Sequence, residues 1–140
     1  MNDEALDLRD ANDRFYRALE SLDLPTMDAV WCQEGWVRCI HPGWDALVGW
    51  PAVRRSWAQI FQSTPWMRVT PTEVEVHIYG ELGVVACAEN ITAGSEGDVG
   101  VAVAQATNLF LKTPQGWRMI HHHASSAPVQ VTQPFSGTIQ

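Results

Sequence analysis

The 140-residue chain is short of basic side chains, with nine Lys and Arg against sixteen Asp and Glu, a formal charge of −7. Non-specific nucleic-acid binding and attachment to anionic membranes both need a positive field, so this balance excludes both as main roles. The nine cations are also scattered and form no local basic stripe. No apolar run approaches the roughly 20 residues that span a bilayer. The N-terminus opens acidic, with Asp3, Glu4 and Asp7, and lacks the basic start and apolar stretch of a secretory signal. Cysteine is scarce too. Cys32, Cys39 and Cys87 are odd in number and have no C-x-x-C spacing, which reads as reduced core thiols in a cytoplasmic protein.

What the chain does have is apolar residues at 46% and charged ones at 18%, the balance of one folded domain. It also has seven tryptophans, six of them between Trp31 and Trp66.

Residues 5–22 have the period of an amphipathic helix. Leu8, Ala11, Phe15, Ala18, Leu19 and Leu22 form the apolar stripe, and Asp10, Asp13, Arg14, Arg17 and Glu20 the wet face. Asp23-Leu24-Pro25 restarts the chain in a short helix ending near Cys32, with Pro25 suited to its first turn. Trp36 to Ile40 reads as a strand, and His41-Pro42-Gly43 opens a loop carrying Trp44. A second long helix begins at Pro51, with Val53, Trp57, Ile60 and Phe61 on one face. It ends near Thr64-Pro65, because the residue before a proline is pushed out of helical geometry.

After Pro71 the period falls to two, with Val74, Val76 and Ile78 alternating with charged and polar residues. Residues 84–92, 101–112 and 117–125 follow as further strands, separated by Gly-rich turns. Helices first and a meander last make an α+β order, with the helices laid over one concave face of a curved antiparallel sheet. The later strands are apolar on both faces, which calls for a second cover on the outer side. In so short a chain that cover is a second copy, giving a homodimer through the outer sheet face. Residues 1–126 are read as a single domain. Residues 127–140, with Pro128 and Pro134, are read as an irregular tail.

The segment Gly116-Trp117-Arg118-Met119-Ile120-His121-His122-His123-Ala124-Ser125 resembles the last strand of SnoaL-like and kinase-association domains. Glu89-Asn90-Ile91 and Ala106-Thr107-Asn108 resemble central strands of the same group. Over residues 5–126 the chain is similar to the NTF2-like superfamily, which includes ketosteroid isomerase, the SnoaL-like polyketide cyclases and the association domain of calcium/calmodulin-dependent protein kinase II. The resemblance implies a cone-shaped fold with a pocket between helices and sheet, while one scaffold of this kind serves unrelated functions. The isomerase's tyrosine-plus-aspartate set is not matched, although Tyr16 is expected near the pocket, and neither is the Asp-Arg-Asp set of limonene epoxide hydrolase.

Strict alternation puts His121 and His123 on one side with Trp117 and Met119, and His122 on the other. His121 and His123 are therefore expected to line the pocket, with His122 at an interface or in solvent. The plainer alternative is that all three are hydrogen-bonded structural residues. With Glu89 from a neighbouring strand, the i,i+2 pair also has the makings of a metal site.

Glu89 ends the apolar run Val84-Val85-Ala86-Cys87-Ala88, so burial should raise its proton affinity and suit it to acid/base work. The alternative is a structural carboxylate paired with Arg38, Asn108 or a histidine. Arg38 lies on a face with Trp36 and Ile40, placed to clamp a ligand anion or to pair with Glu34 or Glu89. Trp36, Trp44, Trp57 and Phe61 supply aromatic walls, and Asn108 a hydrogen-bonding amide. These residues point to a pocket for a small hydrophobic molecule. Glu89, His121 and His123 are the expected catalytic set for an isomerisation, dehydration or cyclisation that needs no cofactor and no metal. The rival expectation is a non-catalytic binding or assembly module.

Overall fold

The computed structural model describes residues 2–95 and 97–129. Helix α1 (Asp3–Ser21) starts at Asn2, whose side chain accepts from the Ala5 N–H, and stops at Leu22, which turns left-handed at φ 54°. Helix α2 (Leu24–Asp28) is capped by Asp23 and carries Pro25 in its first turn. It is shorter than the sequence suggests, because the chain leaves it so that Trp31 can be buried and bridge to Met119. Strands β1 (Arg38–Ile40) and β2 (Leu47–Val48) follow, then helix α3 (Trp50–Ser63). Four long strands complete the chain: β3 (Met67–Tyr79), β4 (Leu82–Ser95), β5 (Asp98–Thr113) and β6 (Gly116–Ala127).

All six strands form one sheet in the order β2-β1-β6-β5-β4-β3, antiparallel except for the β1–β6 pair. β3 runs through Pro71, which the sequence placed ahead of the strand. As an edge strand it has no ladder partner on one side, so the missing N–H of proline is tolerated there.

The helices bury their apolar stripes on the concave face, against the inward residues of β4, β5 and β6. Leu8, Phe15 and Leu19 of α1 and Val53, Trp57 and Phe61 of α3 meet Val85, Cys87, Phe110 and Met119 there. The approach of α1 is close. A methyl group on Gly83 would lie 2.7 Å from a Leu8 methyl, so a larger residue there would force the Leu8 side chain to move. Two register shifts bend the sheet, one in β3 between Thr72 and Glu75 and one opposite Leu109 and Phe110. The fold is the expected α+β arrangement of helices over a curved, mostly antiparallel sheet. Among the described residues, no helix is long and apolar enough to cross a membrane.

The second register shift overturns one expectation. Leu109 pairs with His121 and Phe110 with Met119, which leaves Ile120 as an extra, unpaired residue in β6. One added residue reverses the alternation beyond it. Trp117, Met119, His122 and Ala124 are therefore buried, while His121 is half-buried and His123 exposed. A similar phase error affects β1. Val37 and Cys39 point inward, so Trp36 and Arg38 are exposed on the outer side.

Candidate functional site

Three strands and one helix send polar groups into the concave core. On α1, Asn12 and Tyr16 stand one turn apart on the buried stripe and so project side by side. On β4 the inward alternation of Val85 and Cys87 ends at Glu89, on β5 Asn108 lies between Ala106 and Phe110, and on β6 the bulge delivers His122. All five are fully or almost fully buried, so each must find a partner.

They find one another. The Asn108 amide N–H2 donates to Asn12 Oδ1 at 2.9 Å and to the Tyr16 hydroxyl at 3.1 Å. The Tyr16 hydroxyl in turn donates to Glu89 Oε2 at 2.7 Å and lies 3.2 Å from Cys87 Sγ. With both amide hydrogens used, Asn108 Oδ1 can only accept, and His122 Nδ1–H donates to it at 2.6 Å. That assigns the His122 tautomer: Nε2 is left with its lone pair, 4.0 Å from Glu89 Oε2. This gap is too long for a hydrogen bond.

Burial sets the charge states. It lowers His122 to about 3 and His41 to about 4, so both imidazoles are neutral near pH 7. Burial raises Glu89 above the usual carboxylate value, and the Tyr16 hydrogen bond partly opposes the rise. The Tyr16 phenol is itself pushed up by burial and by the adjacent Glu89, so it serves as a fixed donor and not as a proton source. With a neutral His122, the contact to Glu89 is not an ion pair.

Glu89 and His122 open on a cavity of about 200 Å³ between α1, α3 and the sheet. Its walls are mainly Leu19, Trp57, Ile60, Val69 and Ile91, and the exposed residues Pro42 and Trp44 lie at its mouth. His41, just beyond β1, is a further polar wall residue. Its ring meets Trp57 and Trp44 edge-on at 4.6 and 4.8 Å. The Ser56 hydroxyl donates to the Val53 carbonyl at 2.7 Å, so His41 Nε2–H must donate to Ser56 Oγ at 2.9 Å.

The structure brings Glu89, Tyr16, Trp44, Trp57 and Asn108 together at or behind this cavity. His121 and His123 do not join them. His121 pairs in register with Arg38, and His123 lies with Thr107 and Ser125 in a separate depression. The metal arrangement of His121 and His123 with Glu89 is therefore ruled out, since the sheet lies between them. Among the described residues no group of three His, Cys, Asp or Glu side chains stands at metal-binding distances. Arg38 and Trp36 are exposed away from the cavity, so neither a ligand clamp nor an Arg38–Glu89 pair forms there. Phe61 is buried behind Trp57, with ring centres 6.0 Å apart, and lines a different cleft with Leu22 and Leu24.

Sequence reasoning missed His122, His41, Ser56 and Asn12. Only Asn12 left a signal, as a polar residue inside the apolar stripe of α1.

Helices laid over a bent sheet, with a cavity held between them, define the NTF2-like class of fold. Within that class the chain belongs to the SnoaL-like domain family, whose model matches residues 8–130. A crystal structure from Streptomyces avermitilis, described as a candidate dehydratase of the NTF2-like family, is 35% identical with a TM-score of 0.84. The match covers 89% of this chain and 96% of that one. A structure from Thiobacillus denitrificans, described as a candidate calcium/calmodulin-dependent protein kinase type II association domain, is 33% identical. It has a TM-score of 0.75, over 84% of this chain and 93% of that one. A ketosteroid isomerase-like protein from Erwinia carotovora shares the fold at 23% identity and a TM-score of 0.77, over 91% of this chain and all of that one. Comparison with curated proteins gives no match.

Proposed function

We propose that this protein is an acid/base enzyme that moves a proton in a small, largely apolar organic molecule, with Glu89 as the group that carries it. The observation behind this reading is a buried carboxylate that lines an apolar cavity, supported on one oxygen by Tyr16 and with no hydrogen bond to the other among the described residues. A carboxylate whose proton affinity is raised by burial is well matched to proton transfer near neutral pH.

Dehydration is the favoured reaction, and the candidate dehydratase at 35% identity supports it. Glu89 takes the proton from the carbon next to the one bearing the hydroxyl, and the C–H pair becomes the new double bond. The C–O bond breaks with its pair on oxygen, and that oxygen receives the same proton from Glu89 and leaves as water. Glu89 ends as it began. An isomerisation uses the same first step but returns the proton to another carbon.

The test is a panel of small β-hydroxy ketones in deuterium oxide, followed by mass spectrometry. Wild-type protein should eliminate water or incorporate deuterium in at least one of them, and Glu89→Gln should abolish this while keeping its fold. Equal exchange by both proteins would remove Glu89 from the chemistry.

A second reading, a binding or assembly module, is favoured by a different observation. Val99 and Val101, at 64% and 62% exposure, stand on the outer face of β5, as an interface between two copies requires. In our reading this face forms a homodimer whether or not the cavity is catalytic. The free thiols Cys32, Cys39 and Cys87 fit a cytoplasmic location.

A further inference from the structure

With the cavity taken as the substrate site, as proposed above, its polar atoms define what it accepts. Asn108 fixes His122 so that Nε2 has no hydrogen, and Ser56 consumes the one N–H of neutral His41. Two histidines, each able to donate or accept in principle, are thus both left without a free N–H for the cavity, and the other His41 nitrogen, Nδ1, lies 3.9 Å from Cys39 Sγ. The remaining N–H groups on the lining side chains are those of two indoles. Trp57 Nε1 is buried without a partner and has almost no accessible surface, so it does not open on the cavity, while Trp44 stands at the mouth with 38% exposure. Among the described residues no Lys or Arg lines the space. Glu89 Oε2 already accepts from Tyr16, and Oε1 is an acceptor whenever the carboxyl is ionised.

We propose that the cavity selects a neutral, one-ring molecule that donates a hydroxyl hydrogen bond to His122 Nε2, and that it rejects carboxylates and ligands able only to accept. A buried acceptor left unpaired on binding costs more than a hydrogen bond contributes, so the site discriminates strongly on this point. Among the described lining residues a carboxylate meets no cation and a nearby Glu89, and an ether or ketone oxygen meets no side-chain donor but the Trp44 indole at the mouth. Size follows from volume. An apolar cavity of about 150 Å³ holds benzene, so 200 Å³ takes one ring with a few substituents. The selected hydroxyl suits the elimination above, because its hydrogen rests on His122 while its oxygen faces Glu89. Asn108 and Ser56 act as positioning residues, each through an imidazole.

The test uses phenol, anisole and benzoate as probes in ligand-observed NMR titrations of the wild-type protein. They are run at pH 8, which favours the ionised form of Glu89 and keeps phenol neutral. Phenol should bind at least tenfold more tightly than anisole, and benzoate not measurably. Nitrogen-15 NMR of labelled histidine should show a proton-free Nε2 on His122 whose signal moves with phenol and not with anisole. His122→Phe, which keeps a ring of similar size, should bring the phenol-to-anisole ratio close to one. The proposal is overturned if anisole binds within threefold of phenol, if benzoate binds as well as phenol, if none of the three binds, or if His122 Nε2 carries a proton. The nitrogen signal is read on wild-type protein, so it stands even where the His122 variant folds poorly. Phenol cannot eliminate water, so these outcomes are independent of the Glu89 exchange experiment. Either can fail alone.

Discussion

The Tyr16 hydroxyl donates to Glu89 Oε2 at 2.7 Å, joining the first helix to the fourth strand across 73 positions of chain. The bond opposes the effect of burial on the carboxyl, so Tyr16 sets where Glu89 titrates. Tyr16→Phe should push the Glu89 titration further up. The acidic limb of the pH–rate profile, where a carboxylate base becomes active, should then move to higher pH. The lost bond should also cost about 1–2 kcal/mol of stability. A profile left in place, with stability alone reduced, would make Tyr16 architectural.

Two buried histidines give the fold an acid weakness. His41 and His122 have folded values of about 4 and about 3 against an ordinary 6.5. Their stabilising contribution is complete above 6.5 and is lost as pH falls toward those values, because unfolding lets each ring take a proton. Each contributes a slope of about 1.4 kcal/mol per pH unit within that window. Glu89 has the opposite sign: its raised value makes its contribution complete below the ordinary carboxyl range and lost as pH rises through the folded value. Urea midpoints from pH 7 to 4 should show a net acid loss, with Glu89 offsetting part of it, and His41→Gln should make the loss shallower. An unchanged slope would mean that His41 is not protonated on unfolding.

The outer face of β5 is the expected seam between copies. Val101→Asp, at 62% exposure, should leave the cavity intact but shift the species seen by light scattering from dimer to monomer. A wild-type protein that is already monomeric at micromolar concentration would discard the seam.

Much of the architecture was written in side-chain periodicity. The stripe from Leu8 to Leu19 and the face of Val53, Trp57 and Phe61 gave both long helices, and the apolar approach to Glu89 marked a buried carboxylate. The site was less legible, for a physical reason. Alternation is a phase, and one bulge at Ile120 reverses it, yet nothing in Arg118-Met119-Ile120-His121 announces that the ladder skips a residue there. His41 gave no pattern because it sits in a loop, where neither the two-residue nor the 3.6-residue period applies. Asn12 was readable, since a buried amide inside an apolar stripe demands a partner.

Three consecutive imidazoles on β6 have a consequence for tolerance to error. At most places in a half-buried strand, slippage by one position swaps an oily group for a wet one and empties the core. Here a slip of one in either direction withdraws His122 and inserts His121 or His123, so the incoming group is chemically the same. The run is a spare supply of one reagent: a single-residue insertion or deletion near Ile120 would still bring an imidazole to Asn108, at the cost of turning Ala124 out of the core.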